Sequence, residues 1–157
     1  LGFPGIQLKW PNDLVVNGAK LAGILVENAD KPPNGRALLI GIGVNVPTPD
    51  QADLPADRRA VGLAELGVVP APETLIAAAG KAGLEAGSLE APAVSARVQS
   101  RWPIRDALAG RACTIEQANG EILQGTAQGV TDEGGLRLAT ANGTRILWSG
   151  ECRIRGD

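Results

Sequence analysis

The chain of 157 residues contains no histidine, no methionine and no tyrosine, and it has only two cysteines, Cys113 and Cys152. Without histidine, the sequence excludes zinc sites of the usual kind and any mechanism that depends on a histidine base. The two cysteines are far apart and lack a Cys-x-x-Cys spacing, so we expect two buried free thiols, with a disulfide between them as the open alternative. Their scarcity is typical of a cytoplasmic enzyme.

A large net charge of either sign is also absent. Fifteen Lys and Arg residues against seventeen Asp and Glu residues give a net charge of -2, which argues against nucleic acid or a membrane surface as a partner recognised by bulk charge. The longest apolar stretch, residues 37–46, is broken by glycines and is too short to span a bilayer. We therefore expect a soluble protein with no membrane partner and, from this segment, no nucleic-acid partner.

The missing methionine concerns the origin of the chain. A natural translation product starts with methionine, whereas this chain opens at Leu1, so we expect a processed product or a fragment. The lack of a signal peptide then carries no information about location. The length suits one domain, or one domain with a small appendage.

The first clear structural signal is the stretch 6–13. Apolar and polar residues alternate from Ile6 to Trp10, which predicts a strand with Trp10 on its core face. Pro11 ends the strand, because proline cannot donate to a β-ladder. Asn12 and Asp13 favour a turn and follow the carboxyl end of the strand, where open sheets usually bind ligands.

A hairpin follows, because Asn17-Gly18 lies between two apolar runs and both residues accept the positive φ of a type I′ turn. Simple alternation in the returning strand places Lys20 on the same face as Ala22, Ile24 and Val26. An ammonium at the start of an apolar face needs an anion or a wet edge. Two interpretations are open: a ligand phosphate or carboxylate pairs with Lys20, or Lys20 extends into water.

Residues 36–46 form a nearly continuous apolar run, which predicts a central strand covered on both faces. Gly41 and Gly43 within it indicate either close packing of another element or a flat floor on which a ligand lies. Asn45, at the end of this strand, and Asn12 could reach one crevice, and a side-chain amide suits the edge of an adenine. Turn propensity alone is the other explanation of both asparagines.

The rest of the chain predicts helices and then short strands. We expect a helix over 57–67 with Asp57 as its cap, a second from Pro72 onward, and a third over 92–101 that ends at Trp102-Pro103. Alternating segments at 113–116, 122–127, 136–139 and 144–148, separated by Asn-Gly and Gly-Gly turns, predict a small β-barrel. The predicted domain boundary falls between Pro103 and Leu108.

Three blocks together resemble the biotin protein ligase family: Lys9-Trp10-Pro11-Asn12-Asp13-Leu14, then the run from Lys20 to Glu27, then Gly41-Ile42-Gly43-Val44-Asn45-Val46. The resemblance implies an α+β fold of the class II synthetase-like biotin/lipoate ligase type, with a mixed, mainly antiparallel sheet and helices packed on it. It also implies that the amino-terminal part of the catalytic domain is missing. Residues 1–105 would be the carboxyl-terminal part of that domain, and residues 106–157 a small C-terminal β-barrel.

The resemblance implies ATP-dependent activation of biotin to biotinyl-5′-adenylate, then transfer to a lysine of a biotin carboxyl carrier protein. Lys20 would hold the biotin carboxylate and the adenylate phosphate as the catalytic residue. The other implied biotin- and adenylate-binding residues are Lys9, Asn12, Asp13, Gly23, Gly41, Gly43 and Asn45. No residue is expected to bind a metal directly, and Mg²⁺ is expected to accompany ATP. A homodimer through the sheet edge is a further expectation.

The sequence departs from the family at one important place. The Gly-Arg-Gly-Arg loop that grips biotin and the triphosphate has no counterpart, and Ala109-Gly110-Arg111-Ala112 is no substitute. The isolated chain is therefore expected to be inactive. Besides a ligase part, the alternatives are a non-catalytic binding module that completes a partner chain and, more distantly, a lipoate ligase relative.

Overall fold

The computed structural model describes residues 5–31, 35–56 and 58–155. These residues form two antiparallel sheets and two α-helices, which confirms the predicted α+β class. The elements in chain order are β1 (Ile6–Lys9), β2 (Asp13–Val16), β3 (Ala19–Lys31), β4 (Gly35–Val44), a 3₁₀ helix (Gln51–Asp53), α1 (Pro72–Gly87), α2 (Ala91–Arg105), β5 (Ala112–Glu116), β6 (Ile122–Val130), β7 (Leu136–Thr140), β8 (Gly143–Leu147) and β9 (Glu151–Ile154).

The described residues divide into two compact units. The first contains residue 5 and residues 12–88, and the second contains residues 6–11 and 89–155. The second unit therefore takes β1 from the beginning of the chain as well as the whole carboxyl-terminal region. The domain division expected after Arg105 stays a prediction.

The hairpin of the first unit forms as its sequence predicts. Asn17 and Gly18 have φ angles of 49° and 79°, which are the positive values that a two-residue hairpin turn of this type requires. Strands β2, β3 and β4 pair in that order, each antiparallel to the next. The buried apolar side chains of this unit are Val15, Val16, Leu21, Ala22, Val61 and Leu63.

A β-bulge in the hairpin changes which face Lys20 occupies. Val15 pairs with Lys20, but Leu14 pairs with Ala22, so Leu21 is an extra residue in β3. Lys20 thereby moves to the face of Gly23. The prediction that Lys20 shares a face with Ala22 is wrong, because simple alternation cannot account for a residue inserted into the ladder.

Strand β4 differs from the predicted central strand. It pairs with β3 over ten residue pairs and with no other described strand. Leu38 and Leu39 point to opposite faces and are 60% and 57% exposed. The prediction that β4 is buried on both faces is thus wrong for the described residues. An apolar sequence shows that a strand can be buried, but it does not show which element packs on it.

The predicted helix over 57–67 is also wrong for residues 58–67: residues 58–62 are irregular with a β-bridge at Ala60, and residues 63–67 form turns; Asp57 lies outside the described residues. The backbone N–H groups of Leu63 and Ala64 donate to the carbonyls of Asn45 and Val46, so they are not available to a helix. Gly62 packs so closely that a Cβ there would overlap the Pro47–Thr48 peptide. These tertiary contacts outweigh a weak local helix signal.

The two helices start where the sequence predicts. Pro72 opens α1, and α2 starts at Ala91, next to the predicted Pro92. However, α2 continues to Arg105, so the predicted stop at Trp102-Pro103 is wrong; Pro103 lies in the last turn, where it removes only one helical hydrogen bond before the helix ends. Within the described residues, neither helix is long and apolar enough to cross a membrane.

The sheet of the second unit has the order β8-β7-β6-β5-β9. The predicted barrel strands are present, β9 is an additional strand that the sequence reasoning missed, and β8 and β9 lie at the two ends of this sheet. The core of the unit contains Trp10, Leu108, Cys113, Ile115, Ala127, Leu136, Leu138, Leu147 and Cys152. Trp10 is 3% exposed, as its predicted core face requires, and its Nε1 donates to the carbonyl of Gly134 at 3.1 Å.

Candidate functional site

A shallow, open groove of about 460 Å³ crosses β3 and β4 in the first unit. We call it the Lys20 groove. Its lining residues are Asn12, Lys20, Gly23, Ile24, Leu25, Gly41, Ile42 and Gly43. Five of the eight residues predicted to form the site therefore lie together along this groove: Lys20, Asn12 and the three glycines.

The side chain of Lys20 extends across Gly23 and pairs with Asp13. The Lys20 Nζ to Asp13 Oδ1 distance is 2.6 Å, with the two side chains 52% and 19% exposed. A Cβ on Gly23 would lie 3.2 Å from Lys20 Nζ and 3.4 Å from Asp13 Oδ1, so glycine leaves the space that this pair occupies. Neither sequence interpretation named Asp13 as the anion, because only the bulge places Lys20 on the Gly23 face, next to Asp13.

The backbone of Lys20 is fixed on both sides. Its N–H donates to the carbonyl of Arg59 at 2.8 Å, and its carbonyl accepts from the N–H of Val61 at 2.9 Å. The Asp13 carboxylate orients the head of the side chain. A residue held at its backbone by hydrogen bonds and at its ammonium by an ion pair is preorganised to meet an anion, and the Lys20 side chain stays 52% exposed where it lines the groove.

The three glycines form a flat strip in the sheet, which we call the glycine floor (Gly23, Gly41, Gly43). Gly23 and Gly43 are directly opposite each other, and Gly41 is opposite Leu25. A Cβ on Gly43 would meet no atom within 4 Å, and one on Gly41 would meet only Leu25 at 3.8 Å. Within the described residues, close packing of another element does not explain Gly41 and Gly43.

Asn12 contributes both structure and a free acceptor. Its Nδ2 donates to the carbonyl of Ile24 at 2.8 Å, and its backbone carbonyl accepts from the Ile24 N–H at 2.9 Å. These bonds attach the turn before β2 to β3. The Oδ1 atom of Asn12 remains an acceptor beside the groove.

Asn45 does not line the groove. Its Nδ2 donates to the carbonyls of Lys20 at 3.1 Å and Val61 at 3.4 Å, and its backbone joins Leu21 and Leu63. Both amide hydrogens are thus committed to the backbone that positions Lys20. The structure gives Asn45 a positioning role, and its predicted contact with adenine stays a prediction.

Lys9 lies on β1 in the second unit, so its predicted role beside Lys20 also stays a prediction.

The two cysteines of the second unit are both free and buried, as expected. The Cys113 thiol donates to the carbonyl of Arg111 at 3.5 Å. A hydrogen bond to Cys113, together with burial, raises the pKa of Cys152 above its ordinary value. The same hydrogen bond lowers the pKa of Cys113, and both thiols belong to the buried core of the second unit.

Two family models match the chain. Residues 2–46 match the biotin/lipoate A/B protein ligase family, and residues 109–155 match the biotin protein ligase C-terminal domain. The chain is thus similar to the biotin protein ligase family in both of these regions. The first match contains all eight predicted site residues, and the second covers all five strands of the second unit's sheet.

Individual ligases match most of the chain. It is 31% identical over 144 residues to a biotin–[acetyl-CoA-carboxylase] ligase from Mycobacterium tuberculosis, covering 92% of the chain and 51% of that protein. It is 29% identical to the bifunctional ligase/repressor BirA of Escherichia coli, covering 99% and 48%. The chain thus spans about half the length of these relatives.

A solved structure shows the same fold. The biotin protein ligase from Aquifex aeolicus, in complex with biotin and ATP, superimposes with a TM-score of 0.71 at 24% identity, covering 97% of the chain and 62% of that protein.

Three residues that line the Lys20 groove were not predicted from the sequence: Ile24, Leu25 and Ile42. Their apolar character indicates only burial, and they line the groove because they flank the glycines in the β3–β4 ladder.

Proposed function

We propose that this chain forms the carboxyl-terminal part of a biotin protein ligase, in which Lys20 serves the ATP-dependent activation of biotin. The observation that carries the proposal is the preorganised Lys20 ammonium beside a floor without side chains. Support also comes from the Mycobacterium and Escherichia relatives, which are named as ligases, and from the Aquifex protein, whose structure holds biotin and ATP. The cytoplasm is the proposed location.

In the first step, a carboxylate oxygen of biotin attacks the α-phosphorus of ATP, and pyrophosphate leaves with the bonding electrons. Negative charge builds on the α-phosphate oxygens, and the Lys20 ammonium stabilises that charge. Asp13 keeps the ammonium in place, and the ammonium pairs with Asp13 and with the incoming anion at the same time. The glycine floor lets the adenylate approach the backbone of β3 and β4 without meeting side chains from these positions.

In the second step, the amine of a lysine on a biotin carboxyl carrier protein attacks the carbonyl carbon of biotinyl-adenylate. An amide forms, the amine loses a proton, and AMP leaves. Lys20 again faces the anionic leaving group. Asn12, Asn45 and Lys9 are proposed to contact the nucleotide, with Asn12 Oδ1 as the described acceptor beside the groove.

Magnesium is expected with ATP, but the described residues do not form a site of their own for it. Asp13 is the carboxylate beside the groove, and it is paired with Lys20. No cluster of three or more potential ligands occurs in the part of the chain that the structure describes. A single, paired carboxylate does not hold Mg²⁺ by itself, so no step is assigned to the metal.

The test is biotin-dependent exchange of labelled pyrophosphate into ATP, measured with a ligase in which this chain forms the carboxyl-terminal part. We expect exchange with biotin, little or none with lipoate, and none from the 157-residue chain alone, because no Gly-Arg-Gly-Arg loop screens the triphosphate. Exchange that depends on lipoate instead of biotin would contradict the substrate assignment. Exchange by the isolated chain would contradict the need for the loop.

A second candidate function is a non-catalytic module that completes a partner chain. The observation that favours it is the exposure of apolar side chains on both faces of the β3–β4 ladder, such as Val26 and Leu39. In that case, the chain would bind biotin or ATP only after the partner is added. Equilibrium dialysis with labelled biotin, with and without the partner, separates the two candidates.

A further inference from the structure

A second pocket, of about 270 Å³ and more enclosed than the Lys20 groove, lies within the second unit. We call it the Trp102 pocket. It is bounded by the last turns of α2, which contribute Val98 and Trp102, by Asp106 directly after the helix, and by the end of β6, which contributes Gly129 and Val130. Nothing in the proposed ligase chemistry uses it.

Two polar atoms of this pocket lack partners. Trp102 Nε1 and Asp106 Oδ2 are shielded from solvent by the protein, and the described residues offer neither of them a hydrogen bond. The other carboxylate oxygen, Asp106 Oδ1, accepts from the backbone N–H of Leu108 at 2.8 Å. Buried polar groups are nearly always paired with protein, water or a ligand, so one unpaired donor and one unpaired acceptor in the same pocket mark a place where a small polar group can bind.

Trp102 lies in the last turn of α2 and Asp106 is the C-cap residue four positions later, and both line the pocket. Across the pocket, Gly129 has a φ of 80°, and a Cβ there would lie 4.0 Å from Asp106 Oδ2. The register shift of β6 between Ala127 and Val130 accommodates this glycine.

We propose that the Trp102 pocket binds a primary carboxamide group. Its carbonyl oxygen would accept from Trp102 Nε1, and one of its N–H groups would donate to Asp106 Oδ2. A carboxylate or phosphate meets repulsion from Asp106, and an ammonium leaves the Trp102 donor unpaired. A secondary amide in its trans form presents its N–H and carbonyl on opposite edges. The volume is below the usual range for cofactor-sized ligands, so it suits one small group with a short apolar stem against Val98 and Val130.

The three tryptophans supply the measurement. In a ¹⁵N-labelled chain, each of Trp10, Trp102 and Trp148 gives one indole N–H signal, and Trp102→Phe identifies the signal that belongs to the pocket. We expect propionamide to shift the Trp102 signal saturably, while the Trp10 signal, already bonded to Gly134, stays in place. Propionate and N-methylacetamide should bind at least about tenfold more weakly. A Trp102 signal that propionamide does not shift, or that propionate shifts equally, would overturn the proposal.

Asp106→Asn replaces the unpaired acceptor of the pocket by a donor and keeps the shape of the side chain. The amide oxygen of the new side chain can keep the bond to Leu108, but an N–H group then replaces the acceptor. Propionamide affinity should fall at least about tenfold and propionate affinity should rise, whereas Asp132→Asn, at an exposed position outside the pocket, should change neither. Unchanged propionamide binding by Asp106→Asn would contradict the assignment. If this variant does not fold, the ligand series on the unsubstituted chain decides alone.

A carboxamide can come from a small molecule or from a glutamine of another protein. The peptide acetyl-Gly-Gln-Gly-N-methylamide, which carries one primary amide, distinguishes the two. A saturable shift of Trp102 by the peptide, at least as strong as that by propionamide, assigns the pocket to a protein side chain. A shift by propionamide alone assigns it to a small molecule.

Discussion

At the scale of single residues, Lys20 is held at three points within the first unit. Arg59 and Val61 bind its backbone, and Asp13 binds its ammonium at 2.6 Å. An exposed ion pair of this kind contributes little to stability, because solvent screens it. Holding the long Lys20 side chain in one conformation costs conformational entropy, and this ion pair offsets little of it. The fixed position of the ammonium is therefore better explained by a role in catalysis than by a role in folding.

We expect Lys20→Ala, in a ligase that contains this chain, to lower the rate of biotinyl-adenylate formation by about 10²- to 10³-fold, the cost of removing one preorganised donor. Lys20→Arg should restore only part of the rate, because a planar guanidinium places its charge elsewhere. The melting temperature should change little in both variants. Adenylation rate and melting temperature are measured together.

Two controls sharpen this prediction. Lys81→Ala, on the exposed surface of α1, removes one ammonium away from the groove and should leave adenylation unchanged. Gly23→Ala displaces the Lys20 ammonium without removing its charge, because the new Cβ would lie 3.2 Å from Nζ, and it should also slow adenylation. A Lys20→Ala variant that adenylates at the unsubstituted rate would remove Lys20 from the mechanism.

The thiol of Cys152 makes a second prediction at this scale. Its pKa is raised in the folded chain by the hydrogen bond to Cys113 and by burial, so the folded state keeps a proton that the unfolded state loses above the ordinary value of 9.0. The free energy of unfolding should therefore fall as pH rises above about 9. Urea unfolding from pH 9 upward measures this, because below that pH the lowered pKa of Cys113 changes stability in the opposite direction.

Cys152→Ala supplies the comparison for the alkaline effect. This variant should be less stable at neutral pH, because it leaves a small cavity in the core, but it should lose less stability when the pH is raised. An equal alkaline loss in both proteins would mean that Cys152 is not responsible.

At the scale of elements, the β3–β4 ladder shapes the groove. Its register places Gly23 opposite Gly43 and Gly41 opposite Leu25, so side chains are missing from one strip of the sheet. The segment 59–63 braces the beginning of β3 through Asn45, and Asn12 ties the turn before β2 to Ile24. The asparagines thus serve the geometry of the groove whether or not they also touch a ligand.

Gly43→Ala tests whether a ligand lies on the glycine floor. A Cβ at this position meets no described atom within 4 Å, so the variant should keep its melting temperature. If biotinyl-adenylate lies on the floor, the added methyl group should weaken its binding by about tenfold or more, because a small displacement is costly in a close-fitting site. Isothermal titration with biotin and ATP, using the ligase that contains this chain, gives the affinity.

The control for this variant is Gly80→Ala in the interior of α1, where a Cβ also meets nothing within 4 Å. It should stabilise the chain by about 0.5–1 kcal/mol, through the lower entropy of the unfolded state, and leave ligand affinity unchanged. Equal affinity of Gly43→Ala and the unsubstituted chain would show that no ligand contacts that part of β4.

At the scale of the whole molecule, the described chain exposes a large amount of apolar surface. Leu25 and Val26 are each 56% exposed on β3, Leu38 and Leu39 are more than half exposed on β4, and Leu84 on α1 is 79% exposed. Strand β4 also presents unpaired backbone groups along its outer edge among the described residues. Surfaces of this kind associate with other chains.

We expect the isolated chain to self-associate as its concentration rises, with β4 edges and apolar faces in contact. Sedimentation velocity across a concentration series measures the effect. Leu39→Lys, which adds a charge to the exposed strand, should shift the chain toward monomer, whereas Glu73→Lys on α1 should not. A monodisperse monomer at all concentrations would contradict this expectation.

The sequence by itself determined the local elements with strong chemical signals. Asn17-Gly18 determined the hairpin, because few other residues accept two positive φ angles, and Pro72 determined the start of α1. The three blocks around Lys9–Leu14, Lys20–Glu27 and Gly41–Val46 were also sufficient to indicate the family. Local backbone chemistry and motif order need no knowledge of distant contacts.

Only the tertiary structure decided how Lys20 is used. The bulge at Leu21 reversed its face, and Asp13 became its partner, although alternation along β3 predicted another face. The segment 58–67 formed irregular structure and turns instead of a helix, because the N–H groups of Leu63 and Ala64 bind the carbonyls of Asn45 and Val46. Both outcomes depend on hydrogen bonds between segments far apart in sequence, whose free energy outweighs local propensity and which no local pattern records.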